Sequence, residues 1–299
     1  MTNITTVIVT YHTSEKIILD CLNSINKDIK VLIIENSNTF INKKQVLSKF
    51  KNVEIVCTGK NLGYGAGNNF GINLAKTDYV LILNPDVVCD EYFFTNAQKI
   101  IKETQDFTVI GCQYLFDKIF MPAGFFDDKK NKKFIKDYKN SLVDDLARVD
   151  WVTGCSMLIN LKKFKDKNIF DENFFLYFEE FDLCKSLINK GEKVYTSKKL
   201  KIHHLGFKSS FNDNSHHKEK INFLREWHWM WSTFYFYKKN FNYFYALNKV
   251  IGKFFKALFK IIFYSLINNQ KEKGKYKYRF LGIYNALLSR PSKFRGDFE

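Results

Sequence analysis

Val80-Leu81-Ile82-Leu83-Asn84-Pro85-Asp86 reads as a buried strand that is stopped abruptly. Four apolar residues in a row, without polar alternation, suit a strand covered on both faces, as in parallel sheets. Pro85 ends the ladder because it has no N–H to donate. Asp86 is then held at the rim of the sheet. Such a carboxylate is a good ligand for a hard cation, Mg²⁺ or Mn²⁺, that bridges to phosphate oxygens. An Asp after Pro also suits a type I turn, where it satisfies backbone N–H groups. These residues alone leave both uses open.

Outward from this strand the chain alternates. Residues 4–10, 30–35, 53–57 and 79–83 are short apolar runs with strand character. Between them, 14–26, 41–50 and 66–76 carry helical spacing, as in Ile17, Ile18, Leu22 and Ile25. The alternation predicts an α/β fold, a mostly parallel sheet flanked by helices. Ligands of such sheets bind at the carboxyl ends of the strands. Three polar strand ends converge there: Thr10-Tyr11-His12, Glu35-Asn36-Ser37-Asn38 and Asn84-Pro85-Asp86. The stretch Asn61-Leu62-Gly63-Tyr64-Gly65-Ala66-Gly67-Asn68-Asn69 precedes a helix, where glycines admit a ligand and a helix start favours anions. No Gly-Lys-Ser/Thr follows, so it is not a Walker loop.

A second informative stretch is Phe174-Phe175-Leu176-Tyr177-Phe178-Glu179-Glu180-Phe181-Asp182. Three carboxylates within four residues, set among aromatic rings, are not a solvated charge run. At a helix start Glu179 and Asp182 share a face, and Glu180 points elsewhere. Crowded like charges beside apolar rings raise at least one pKa, which suits a general base. Acids in a first turn also complement the helix dipole. Downstream, His203-His204 ends another strand-like run and offers a metal ligand.

The 299 residues hold six scattered cysteines with no CxxC pair, which predicts reduced thiols rather than a disulfide frame or zinc site. Thr6-Val7-Ile8-Val9-Thr10 reads as a strand, not a signal peptide. The expected location is the cytoplasm. The net charge of +16 is uneven: residues 201–299 carry 19 Lys/Arg against 6 Asp/Glu, a net +13. A basic region of that kind suits anionic lipid, nucleic acid or a phosphorylated substrate.

Taken in order, Tyr11, Glu35-Asn36-Ser37, Asn61 to Gly65 with Asn69, Asn84-Pro85-Asp86, Trp151-Val152-Thr153-Gly154, Phe170 through Asp182 and His203 form a recognisable set over about residues 4–210. The set resembles the inverting family 2 glycosyltransferases, above all the rhamnosyltransferase-like members that build bacterial surface polysaccharides such as O-antigen and capsule. The resemblance implies a GT-A fold, with a donor-binding half at about 1–115 and an acceptor half at about 116–215. It implies a nucleotide-sugar donor, with deoxythymidine diphosphate rhamnose the leading choice and a uridine diphosphate sugar the alternative. It implies a divalent metal, Mg²⁺ or Mn²⁺, on Asp86, with Asn84 and His203 completing the site and His204 the second choice. Thr10, Tyr11, Glu35, Asn36, Asn61, Gly63, Tyr64, Gly65, Asn69, Asn84 and Gly154 would line the nucleotide-sugar pocket. The family's catalytic pair is Glu-Asp; here it reads Glu179-Glu180, so Glu180 takes the base position. Glu179 and Asp182 would orient the acceptor, a lipid-linked glycan, or support the site.

Residues 216–299 read as a basic, aromatic helical extension. Lys249, Lys253, Lys256 and Lys260 fall at steps of 4, 3 and 4, one stripe on a helix otherwise rich in Val250, Phe254, Phe255, Phe259 and Ile262. Such a helix fits the plane of an anionic membrane, here the inner face of the cytoplasmic membrane. It also fits packing on the catalytic domain with solvated lysines. The rival function classes are a nucleic-acid binder, a nucleotidyltransferase and a non-catalytic membrane scaffold. Long apolar helices rather than a β-platform speak against nucleic acid. The charge-rich segment 117–148 is expected to be a mobile loop near the acceptor side, or else a surface loop with no role.

Overall fold

The computed structural model describes residues 3–104, 106–114, 123–140, 142–204, 215–292 and 294–295. The chain forms two compact units. The first takes Met1–Leu62, Ala66–Phe170 and Leu183–Asn212; the second takes Gly63–Gly65, Asp171–Asp182 and Asp213–Glu299. The acidic stretch therefore groups with the C-terminal helices, although the sequence places it in a catalytic domain ending at 215.

The chain opens with β1 (Ile4–Thr10), α1 (Glu15–Asn23), β2 (Lys30–Glu35), α2 (Lys43–Lys49), β3 (Val53–Cys57), α3 (Tyr64–Leu74) and β4 (Tyr79–Leu83). The four strands match the apolar runs read from the sequence. Then come β5 (Val87–Cys89), α4 (Phe93–Glu103), β6 (Val109–Tyr114), β7 (Ala123–Gly124), α5 (Asp128–Lys139), β8 (Leu146–Val149), β9 (Trp151–Val152), β10 (Ser156–Asn160), α6 (Glu179–Asn189) and β11 (Val194–His204). The main sheet runs β3-β2-β1-β4-β10-β6-β11-β5, with β8 paired to β11. Strands β3, β2, β1 and β4 are all parallel, so their carboxyl ends share one edge. Strand β10 is antiparallel to β4 and to β6, and β11 is parallel to β6. Every residue of β4 is buried, as an unalternating apolar run requires. Ile18, Cys21 and Leu22 of α1 join Ile8, Ile33, Leu81 and Leu83 in the core.

Segment 117–148 is not simply a loop. Residues 115–122 and 141 lie outside the described residues, but 128–139 form a helix. Asp127 caps it, accepting from the Lys130 N–H at 2.8 Å. Phe134 anchors it, buried 5.5 Å from the Phe125 ring. The density of charge hid a single buried face.

In the second unit, α7 (Ser215–Asn240), α8 (Tyr243–Leu266) and α9 (Gln270–Leu287) pack around Trp227, Met230, Trp231, Phe234, Ala246, Val250, Ile283 and Ala286. Asn242 and Asn269 cap α8 and α9 through their side-chain oxygens. Gly282 lets α9 approach α7: a Cβ there would stand 2.3 Å from the Trp227 carbonyl oxygen. The chain after α9 returns along α7, where Trp231 Nε1 donates to the Arg290 carbonyl at 2.9 Å.

Candidate active site

The parallel strands bring polar ends together in the first unit. Glu35 closes β2 and is fully buried. An isolated buried carboxylate is costly unless donors meet its charge. Thr10 Oγ1 donates to it at 2.5 Å, Ser37 Oγ at 2.7 Å and the His12 N–H at 3.2 Å. His12 adopts φ +49° as the chain leaves β1. The Asn36 N–H donates to the Thr10 carbonyl at 2.8 Å. Thr10, Glu35 and Asn36 thus make one hydrogen-bonded rim.

At the end of β4 the Asn84 N–H donates to the Cys155 carbonyl at 2.8 Å, and the Val87 N–H donates to Asn84 at 3.2 Å. Asn84-Pro85-Asp86 is therefore a tight turn seated against Gly154–Cys155, just ahead of β10. The Asp86 side chain is buried, and His204 Nε2 lies 3.3 Å from its Oδ1. The sequence reading favoured His203 for this position. In β11 successive side chains face opposite ways: His203 is exposed, and it is His204 that lies against Asp86. Among the described residues no group of three or more His, Cys, Asp or Glu side chains could hold a metal. One buried carboxylate and one imidazole suit a hard cation that takes its other ligands from phosphate oxygens and water. Tyr11 and Asn61 are half-buried, and Gly154 is buried.

Two residues expected in the nucleotide pocket have structural duties. Asn69 Nδ2 donates to the Phe170 carbonyl at 2.9 Å, and the Phe170 N–H returns a bond to Asn69 Oδ1 at 3.0 Å. Gly63 has φ +87°, and a Cβ there would stand 2.3 Å from the Phe175 carbonyl oxygen. The Tyr64 N–H donates to that same oxygen at 3.0 Å. The backbone that Gly63 admits is the protein's own. Tyr64 is half-buried and Gly65 buried.

The acidic turn belongs to the second unit. Tyr177 and Phe178 both adopt left-handed backbone, φ +71° and +72°. This costs about 1–3 kcal/mol per non-glycine residue and persists only where surroundings enforce it. Helix α7 supplies the enforcement. Trp229 packs on the rings of Tyr177 at 5.1 Å and Phe178 at 5.5 Å, and Phe236 packs on Phe178 at 5.3 Å. Ser232 Oγ donates to the Leu176 carbonyl at 2.9 Å.

The three acids that follow have different surroundings. Glu179 is buried, with Oε1 lacking a hydrogen-bond partner among the described residues. Burial, reinforced by the charge of Glu180, pushes its carboxyl well above the usual range. Asp182 is buried and receives Lys239 Nζ at 2.7 Å and Asn240 Nδ2 at 2.8 Å. Lys239 also reaches Asp171 at 2.7 Å, and the Tyr235 hydroxyl donates to Asp171 at 3.0 Å. Glu180 is half-exposed. Of the three it alone is not buried. The aromatic crowding of Trp229, Tyr235 and Phe236 is visible in the sequence, but nothing in local spacing links these residues, Lys239 or Asn240 to partners more than 45 positions earlier.

Known proteins bear on both units. Over 206 residues the chain is 24% identical to "Rhamnosyltransferase WbbL" of Escherichia coli (strain K12), covering 60% of this chain and 74% of that one. Over 237 residues it is 24% identical to the "N-acetylglucosaminyl-diphospho-decaprenol L-rhamnosyltransferase" of Mycobacterium tuberculosis (strain ATCC 25618 / H37Rv), covering 69% and 77%. Its fold is GT-A-like. It is similar to mannosyltransferase PcManGT from Pyrobaculum calidifontis, solved with GDP-Man and Mn²⁺, at TM-score 0.53 and 12% identity over 96% of this chain and 87% of that one. The sequence profile described as "Glycosyl transferase family 2" matches residues 6–155, from β1 through the Asp86 turn to the segment on which Asn84 rests. With that profile covering half its length, the chain belongs to glycosyl transferase family 2 and is a glycosyltransferase.

Proposed function

We propose that this protein transfers rhamnose from deoxythymidine diphosphate rhamnose to a hydroxyl of a lipid-diphosphate-linked glycan, with inversion, during bacterial surface polysaccharide synthesis. The observation that carries the reading is the buried Asp86 carboxylate with His204 at 3.3 Å, at the carboxyl end of the parallel strands. The choice of sugar and of acceptor follows the two rhamnosyltransferases to which the chain is similar. The reaction takes place at the inner face of the cytoplasmic membrane, where such an acceptor resides.

Asp86 and His204 would hold a divalent cation, Mg²⁺ or Mn²⁺, whose charge would neutralise the departing diphosphate. Thr10, Tyr11, Glu35, Asn36, Asn61 and Gly154 line the nucleoside side of the donor pocket. Glu180 accepts the proton of the acceptor hydroxyl. As that proton leaves, the oxygen forms a bond to the anomeric carbon from the face opposite the phosphate. The bond between that carbon and the phosphate oxygen breaks, and the nucleoside diphosphate leaves with the electron pair. Burial, reinforced by the charge of Glu180, favours the neutral form of the Glu179 carboxyl. Asp182 supports the turn through Lys239 and does not touch substrate.

Calorimetric titration of the diphosphates of deoxythymidine, uridine and guanosine, with and without Mn²⁺, tests the donor assignment. Manganese-dependent binding of the deoxythymidine nucleotide above the others is expected. Preference for the uridine nucleotide would replace the rhamnose donor with a uridine diphosphate sugar, and no binding would refute the enzymatic reading.

A further inference from the structure

Helix α8 packs in the second unit through a thin strip of Ala246, Val250 and Ala257, all buried. Its outward side is apolar. Phe255 is 60% exposed, Phe259 64%, Ile262 56% and Leu266 81%. They succeed one another at steps of 4, 3 and 4, so they form one stripe on the helix. Phe244, Leu258 and Phe263 widen it. With each large side chain contributing roughly half or more of its area, the stripe exposes on the order of 500 Å² of apolar surface. This is at the upper limit of what monomeric proteins leave open without a purpose.

Lys249, Lys253, Lys256 and Lys260 follow the same steps, and Lys256 and Lys260 sit one residue after Phe255 and Phe259. The lysines therefore run along one edge of the apolar stripe. Lys260 lies over the rings of Phe263 at 5.2 Å and Tyr264 at 5.3 Å. The cations are crowded: burial first, then the charges of Arg279 and Lys249, hold the Lys253 ammonium below its usual range. An anionic surface relieves that repulsion. A protein partner with an apolar groove would cover the stripe but leave the lysine edge unmatched. Among the described residues no helix is long and apolar enough to cross a membrane.

We propose that the outward face of α8 docks on an anionic lipid bilayer, with Phe255, Phe259, Ile262 and Leu266 entering the headgroup–acyl boundary and Lys256 and Lys260 reaching lipid phosphates beside them. This geometry is that of an interfacial amphipathic helix. It assigns insertion to the aromatic stripe and leaves the lysines the lesser, salt-sensitive share. The assignment does not depend on the donor, the acceptor or the base.

The test is flotation of the purified full chain with vesicles of phosphatidylcholine containing phosphatidylglycerol, and with phosphatidylcholine alone. The wild type should float with the anionic vesicles. The triple variant Phe255→Ser, Phe259→Ser, Ile262→Ser should lose flotation while keeping its melting temperature, because these side chains are exposed. Lys256→Gln and Lys260→Gln should each weaken binding to anionic vesicles about fivefold. Phe259→Trp, which keeps the ring, should be quenched by bromine-labelled acyl chains, and this readout serves if the triple variant folds poorly. Failure of the wild type to float, unchanged flotation of the triple variant, or no added quenching in Phe259→Trp would overturn the proposal. A wild-type dimer in solution that the triple variant converts to monomer would also overturn it, assigning the face to a second copy of this chain.

Discussion

Lys239 Nζ stands 2.7 Å from Asp182 Oδ2 and 2.7 Å from Asp171 Oδ2. One cation from the last turn of α7 thus ties down the first turn of α6 and the loop before it. Removing it leaves two largely buried carboxylates without their counter-charge. Lys239→Met should destabilise the protein by about 2–3 kcal/mol, below the 3–5 kcal/mol of a fully buried pair because Lys239 is partly exposed. Urea unfolding of the variant measures this; a loss under about 0.5 kcal/mol would contradict the tie.

The same contact has a pH signature. Burial works to raise the Asp171 carboxyl, but bonds from Lys239 and Asn173 prevail and hold it below its ordinary value. A depressed carboxylate adds stability that is present above the unfolded value and lost as pH falls through the folded one. The wild type should therefore lose stability below about pH 4, and Lys239→Met should lose less over the same range. Melting temperatures of the two proteins from pH 3 to 7, on the order of one pH unit apart, decide it.

Glu179 and Glu180 should respond oppositely to amide substitution. Glu180→Gln removes the base and should lower turnover about 10²–10⁴-fold with donor binding intact. Glu179→Gln puts a neutral side chain where burial already favours the neutral carboxyl, and should keep most of the turnover. Because the folded Glu179 carboxyl is raised, its stabilising share is present at low pH and lost as pH rises through the folded value. Glu179→Gln should therefore be more stable than wild type in alkaline buffer and equal to it in acid. Loss of activity in Glu179→Gln with Glu180→Gln unaffected would exchange the two roles.

The polar strand ends, the Asp86 turn and the acidic triplet were legible because each depends on local pattern. Short strand-like runs located β1, β2, β3 and β4 to the residue, and Pro85 fixed where Asp86 stands. What was not legible depends on distance in the chain. Choosing between His203 and His204 needed the facing of β11, which adjacent positions cannot show. The duties of Asn69 and Gly63 lie with Phe170 and Phe175, more than a hundred residues away. The left-handed pair Tyr177-Phe178 has no glycine to announce it; Trp229 and Phe236 impose it from α7. The stripe of lysines on α8 was visible, but which apolar residues lie outside followed only from the packing of Ala246, Val250 and Ala257.

The two histidines give a further test. His204→Ala should raise the Mn²⁺ concentration needed for half-maximal donor binding at least about tenfold, a loss of one ligand at a site with few. His203→Ala should leave that concentration as in wild type. Titration of Mn²⁺ at fixed nucleotide reads both. Equal effects, or the reverse order, would contradict the Asp86–His204 pairing.

Gly63→Ala should be costly although it adds only a methyl group. The position combines φ +87° with a Cβ site 2.3 Å from the Phe175 carbonyl oxygen. Destabilisation should exceed about 1 kcal/mol, as for Ala placed where φ is positive. Thermal unfolding checks it.

The most direct measurement mixes the purified protein, Mn²⁺, deoxythymidine diphosphate rhamnose and a lipid-diphosphate-linked sugar, and follows release of the nucleoside diphosphate together with the anomeric configuration of the product. Release that needs the acceptor, product of inverted configuration, and loss of both in Glu180→Gln are the results expected. Product of retained configuration, or turnover in Glu180→Gln equal to wild type, would contradict the account of Glu180 as the base of an inverting transfer.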